Sequence, residues 1–254
     1  MPRSATVPGD RAARHDTGRP VGPLVSCVGA GRTFGNGSSA VVAVYGVNLT
    51  IPAGALIALT GPSGSGKSTL LHMLAGLEPP TAGQLSWPGL GGHPLDRRPP
   101  GQPCRVGMIF QGPSLLPALT VLENVTLPLL LADTDAVAAT AAAMDALDRV
   151  GIADLQTGLP EQLSGGQAQR VAVARVLASR PALILADEPT GQLDHATATT
   201  VIDALLATCD ELGAALVVST HDPLIAARLT QEWVMRDGYL PEPATSPTNK
   251  GDLS

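Results

Sequence analysis

Aromatic residues are nearly missing from this 254-residue chain: two Trp, two Tyr and two Phe, 2% in all. The core therefore has to be assembled from Ala, Val, Leu and Ile, and at 44% hydrophobic residues the chain has enough of them for a globular domain. Lysine is just as scarce. Only Lys67 and Lys250 occur, so arginine carries nearly all the basic charge, and a lysine inside a glycine-rich loop stands out. No window offers the ~18 apolar residues that a membrane span needs. The richest, Val121 to Leu131, is interrupted by Glu123, Asn124 and Pro128. The first residues carry Arg3, Asp10, Arg11 and Arg14 with no apolar run, which argues against a secretory signal. Any membrane link is then expected to come through a partner. Cys27, Cys104 and Cys209 are odd in number, widely spaced and without a metal-ligand rhythm, and read as buried or inert thiols in a reducing compartment. A net charge of −6 with no basic stripe argues against direct nucleic-acid binding.

What is present is an alternation. Short apolar runs at Val41–Val47, Ala55–Leu59, Val106–Phe110, Leu183–Ala186 and Leu216–Ser219 suit buried strands. Helix-like segments lie between and after them: Lys67–Ala75, Asp135–Val150, Gln167–Ala178, Ala196–Leu212 and Pro223–Leu229. Gly151 stands where a helix-ending glycine belongs. Strand–helix alternation predicts an α/β fold with a mostly parallel sheet. Strand signals vanish from about 112 to 180, which predicts a helical insertion between two strands. Residues 1–22 and 241–254 are polar and Pro/Gly-punctuated and read as disordered tails flanking one domain at 23–240.

Ala55–Leu59 runs into Gly61, Pro62, Ser63, Gly64, Ser65, Gly66, Lys67, Ser68 and Thr69, a complete P-loop pattern. Glycines let the backbone wrap a phosphate closely, so that loop N–H groups and the next helix's N-terminus point at the anion. Lys67 then reaches the outer phosphates and the Ser68 hydroxyl binds Mg²⁺. Downstream, Leu183-Ile184-Leu185-Ala186 delivers Asp187 and Glu188 to the carboxyl edge of a sheet, where α/β proteins place ligands. Asp187 is positioned to hold the metal and Glu188 to polarise an attacking water. Two adjacent acids alone are as often solvated strand-end charges, and it is the P-loop upstream that gives them a role.

Leu163-Ser164-Gly165-Gly166-Gln167, ahead of a helix with Arg170 and Arg175, has capping-box spacing and leaves backbone N–H groups bare at a helix start. The run resembles the signature of ABC ATPases, and with the P-loop and acidic pair the resemblance extends from about Leu24 to Leu240. It implies a P-loop NTPase core with an antiparallel β subdomain and a helical insertion. It also implies a homodimer or heterodimer in which Ser164, Gly165, Gly166 and Gln167 of one subunit face ATP on the other's P-loop, with Asp194 at the dimer contact. Gln111 resembles the glutamine that senses Mg²⁺ and the lytic water, and His221 the histidine that contacts the γ-phosphate. Phe34 lies where the family has an adenine-stacking aromatic. Tyr45 is the rival for that role, although its apolar strand favours packing. His72, His93, His195 and Met108 read as core or surface.

The run from Ser114 to Val125, with Ala186 to Asp194, is similar to the macrolide-exporter, lipoprotein-release and cell-division permease-type ATPases. Gln192 and Ala168 depart from it, standing where asparagine and glutamine are usual, and the Pro-rich stretch 97–104 does not align with it. Membership implies a Mg²⁺-dependent ATPase at the cytoplasmic face of the cell membrane, paired with a separate four-span permease. Two alternatives stay open: a regulatory cell-division-type ATPase that moves no cargo, and a soluble ATPase acting on nucleic acid or ribosomes.

Overall fold

The computed structural model describes residues 22–96 and 104–241. A three-stranded antiparallel sheet, in the order β2-β1-β4, comprises β1 (Val25–Phe34), β2 (Val41–Ile51) and β4 (Ala82–Ser86). A five-stranded parallel sheet comprises β3 (Leu56–Thr60), β5 (Val106–Ile109), β6 (Leu183–Asp187), β7 (Ala215–Ser219) and β8 (Gln231–Val234), in the order β5-β6-β7-β3-β8. The helices are α1 (Lys67–Leu74), α2 (Val121–Leu131), α3 (Ala136–Arg149), α4 (Gly165–Ala178), α5 (His195–Leu212) and α6 (Pro223–Ala226). The α/β architecture with its second, antiparallel sheet is the expected one. α2, α3 and α4 lie between β5 and β6, neighbours in the parallel sheet. Apart from Gly22 and Pro241, the tails expected at 1–22 and 241–254 lie outside the described residues, as does the Pro-rich stretch apart from Cys104.

Period-two alternation along the parallel strands builds two cores. Ile184 and Ala186 of β6, with Leu216 and Val218 of β7, face one way and pack with α2–α5. Leu183 and Leu185, with Ala215 and Val217, face the other and pack with α1 and the antiparallel sheet. Strands buried on both faces read as continuous apolar runs, which is why these segments announced themselves in the sequence. Each fully buried Leu, Ile or Val contributes about 1.5–3 kcal/mol. Where α3 meets α4, many of the buried residues are small. α3 packs on α4, and their buried positions include Ala139, Ala143 and Ala146 on the first and Ala168, Ala172, Ala174 and Ala178 on the second.

Several segments depart from the sequence expectations. β1, β4 and β8 carried no strand signal. β1 has register shifts around Gly29 and Gly31 that break its alternation, β4 has no fully buried residue, and β8 is a four-residue edge strand. The helix expected over Pro223–Leu229 stops at Ala226. Val121–Leu131 is one helix despite Pro128: Thr120 and Glu123 form a capping box, and Asn124, 1% exposed, donates to the Leu116, Leu119 and Thr120 carbonyls. Tyr45 is not packed into the core. It is 61% exposed and meets Tyr239 at 5.9 Å between ring centroids, because β2 turns Val44 and Val47 inward and Tyr45 outward. Cys27 and Cys209 are buried and their thiols pushed up to about 12 by burial, while Cys104 is half-buried; all three are free. Among the described residues no helix is long and apolar enough to cross a membrane.

Candidate functional site

Parallel register brings four strand ends to one edge of the sheet. Ile109 of β5 pairs with Ala186 of β6, Asp187 with Ser219 of β7, and Leu59 of β3 also with Ser219. The residues that follow emerge side by side: Gln111 after β5, Asp187 and Glu188 at the end of β6, Thr220 and His221 after β7, and the loop 61–66 after β3.

That loop closes tightly. Gly66 has φ 98°, and a Cβ there would stand 2.2 Å from the Ala43 carbonyl oxygen of β2. Gly64, with φ 77°, faces open space. Gly238 N–H donates to the Ser65 carbonyl at 3.0 Å, so the turn after β8 braces the loop from behind. Lys67, only 8% exposed, folds its ammonium back to the Gly61 and Pro62 carbonyls at 2.8 and 2.9 Å. Ser68 and Thr69 follow on the first turn of α1, with the Ser68 side exposed. Pro62, Ser63 and Gly64 form the exposed crown of the loop.

At the β6 end, the Asp187 carboxylate is buried and accepts from Ser219 Oγ at 2.5 Å. Among the described residues Oδ2 has no hydrogen-bond donor. The Glu188 N–H donates to the Ser219 carbonyl and Oγ at 3.2 and 3.1 Å, which holds Glu188 at a left-handed φ of 47°. Its Oε1 then stands 3.4 Å from His221 Nδ1. Ser219 thus fixes both acids, and it was not among the residues singled out in the sequence. A hydroxyl ending a buried strand, level with Asp187 in parallel register, was the signal available.

Ser164–Gln167 and Asp194 gather elsewhere, in a cleft of about 360 Å³ whose lining includes no P-loop residue. Ser164 caps α4 through a complete capping box: its N–H donates to Gln167 Oε1 at 2.8 Å and its Oγ accepts from Gln167 N–H at 3.2 Å. Asp194 caps α5, accepting from Thr197 N–H and Oγ1 at 3.0 and 2.7 Å. Those hydrogen bonds hold its carboxyl below the usual range. Gln192 leans across to α4, where a Cβ on Gly165 would lie 2.9 Å from Gln192 Oε1. Phe34 ends β1, 39% exposed, with one ring face under the Arg32 guanidinium at 4.7 Å; Arg32 in turn pairs with Glu78 at 2.7 Å. Of the four residues read as core or surface, His72 lies against Phe110, His93 stands edge-on to Trp87, His195 is exposed on α5, and Met108 packs partly buried.

Residues 44–191 match the family described as ABC transporter. The chain belongs to that family, as its ATP-binding domain. A lipoprotein-releasing system ATP-binding protein LolD of Legionella pneumophila (strain Lens) is 42% identical over 214 residues, 82% of this chain and 93% of the relative. The LolD of Shewanella denitrificans is 40% identical over 224 residues, 87% and 96% of the two chains. Among solved structures, a dimeric ATP-binding cassette in a post-hydrolysis state bound to ADP and Pi superposes with a TM-score of 0.77. It is 34% identical, with 87% of this chain and 97% of that one covered. This ABC domain belongs to a family of nucleotide-binding, ATP-hydrolysing cassettes, with dimeric structural relatives.

Proposed function

We propose that the chain is the ATP-hydrolysing subunit of a transport complex that energises a separate membrane permease of the four-span, lipoprotein-release type, from the cytoplasmic face of the membrane. The observation that carries this reading is the meeting of the P-loop, Asp187–Glu188, His221 and Gln111 at one sheet edge, with Glu188 and His221 3.4 Å apart. Phosphate sits on the unpaired N–H groups of the loop and on the N-terminus of α1, with Pro62 contributing none and the Ser65 N–H held by the Pro62 carbonyl. Lys67 exchanges its two carbonyl partners for phosphate oxygens, which bear more charge.

The site's donor set suits Mg²⁺: the Ser68 hydroxyl, the buried Asp187 carboxylate with one oxygen tied by Ser219, and the Gln111 amide are hard oxygen ligands. Held by these residues, the cation would supply positive charge against the charge developing on phosphate. Glu188 is the general base for the attacking water, and His221 steadies its carboxylate and the γ-phosphate. Phe34 offers its open ring face to adenine. Ser164 and Gln167, whose side chains and N–H groups close the cap of α4, leave the Gly165 and Gly166 backbone N–H groups free to meet nucleotide bound on a second subunit, and Asp194 lines the same dimer contact.

The test is Glu188→Gln. The amide keeps the backbone grip of Ser219 but removes the base, so the variant binds ATP, accumulates as a dimer and hydrolyses about 10²–10⁴-fold more slowly. Wild-type hydrolysis by this variant would remove Glu188 as the base.

A further inference from the structure

Two side chains of α4 reach across to the segment that holds Gln111. Gln169, 1% exposed, donates from Nε2 to the Phe110 carbonyl at 3.2 Å. Arg175 donates from Nη1 to the Ser114 carbonyl at 2.9 Å. Only Gln111, Gly112 and Pro113 lie between the two anchored carbonyls, and Ser114 itself is held at a left-handed φ of 48°. Both anchors are costly for a purely structural core. Among the described residues Gln169 Oε1 is buried without a partner and Arg175 has no carboxylate in ion-pair range. Burial pushes the Arg175 pKa down, so its charge is kept against desolvation for the sake of a backbone carbonyl.

We infer that Gln169 and Arg175 are positioning residues for ATP hydrolysis, coupling the placement of the α4 signature end to the orientation of Gln111. This rests on the role proposed above for Gln111. The Phe110 carbonyl belongs to the peptide that leads into Gln111, so turning that peptide re-aims the glutamine side chain. With Ser114 held at the far end, the three residues between cannot relax independently. A shift of α4, whose capped start meets the second subunit, is thereby delivered to the residue beside the metal and water of its own site. Each nucleotide site then reads the docking of the other.

The test uses the full-length chain, with initial rates of phosphate release across ATP concentration and a thermal melt for each variant. Gln169→Leu keeps the volume, removes the orphaned oxygen and loses the grip on Phe110. It is expected to melt near wild type and keep its KM for ATP, while kcat falls about 10–100-fold, as for a misplaced catalytic group. Gln111→Ala loses kcat as well, and the double variant is no slower than Gln111→Ala alone, because Gln169 acts through Gln111. Arg175→Met repeats the kcat loss from the other anchor, and Arg175→Lys, which keeps a cationic donor, recovers part of it. Should Gln169→Leu fail to fold, the Arg175 pair carries the same comparison. Unchanged kcat in Gln169→Leu and Arg175→Met beside an impaired Gln111→Ala would overturn the coupling alone, as would losses that multiply in the double variant. Wild-type kcat in Gln111→Ala would instead overturn the role of Gln111, and the coupling with it.

Discussion

Gly66→Ala and Gly64→Ala make a matched pair, two residues apart in the phosphate loop. Both glycines have left-handed backbone, φ 98° and 77°, so each alanine incurs a penalty of about 1–2 kcal/mol. Beyond that they differ. A Cβ at Gly64 meets nothing within 4 Å, whereas one at Gly66 would lie 2.2 Å from the Ala43 carbonyl and 2.9 Å from Met235 Cε. The carbonyl is backbone of β2, between Val42 and Val44, which both pair with β1, and it cannot swing aside as the far end of a flexible side chain does. Gly66→Ala therefore has to part the loop from β2, an overpacking cost of about 1–3 kcal/mol on top of the shared penalty. For a domain of this size that difference corresponds to roughly 2–12 °C in melting temperature. Circular dichroism melts of the two variants, without nucleotide, make the measurement independent of any change in ATP affinity. Equal melting temperatures would refute the argument that β2 sets the position of the loop.

Two further outcomes follow from the site. Phe34→Ala should weaken ATP binding by about 1–3 kcal/mol, the range for base–aromatic stacking, without moving the melting temperature much; unchanged affinity in a titration shifts the base contact to Tyr45. Asp194, whose carboxyl is held low by Thr197, gains stability from its charged form only above the unfolded carboxylate pKa, about 3.9, and loses it as pH falls through the lower folded value. The melting-temperature advantage of wild type over Asp194→Asn is then full at neutral pH and shrinks below about pH 4; an advantage that stays flat down to pH 2.5 contradicts the cap's charge dependence.

The sequence declared those parts of the molecule whose chemistry is local. Leu183–Ala186 and Leu216–Ser219 read as strands because both faces are buried, and Gly61–Thr69 reads as a phosphate loop because few other sequences can make that turn. Ser164 and Gln167 were legible as a capping box from spacing alone, and they form one. What stayed hidden depends on partners distant in the chain. β1 and β4 hold their places by pairing rather than by pattern, and Tyr45 points outward because β2 commits Val44 and Val47 to the core. Gln169 is an ordinary helix residue until Phe110, 59 positions away, lies beneath it.

The scarcity of aromatics reaches its mechanical consequence where α3 and α4 meet. A seam of Leu and Phe knobs set in holes resists displacement, because every knob has to climb out before the helices can move. Alanine methyls stand out less from a helix surface and offer fewer knobs to unseat. Between α3 and α4 the alanines therefore leave Leu147 and the valines of α4 as the packing that resists sliding, together with Arg170, which ties α4 to the Val150 and Gly151 carbonyls at the end of α3.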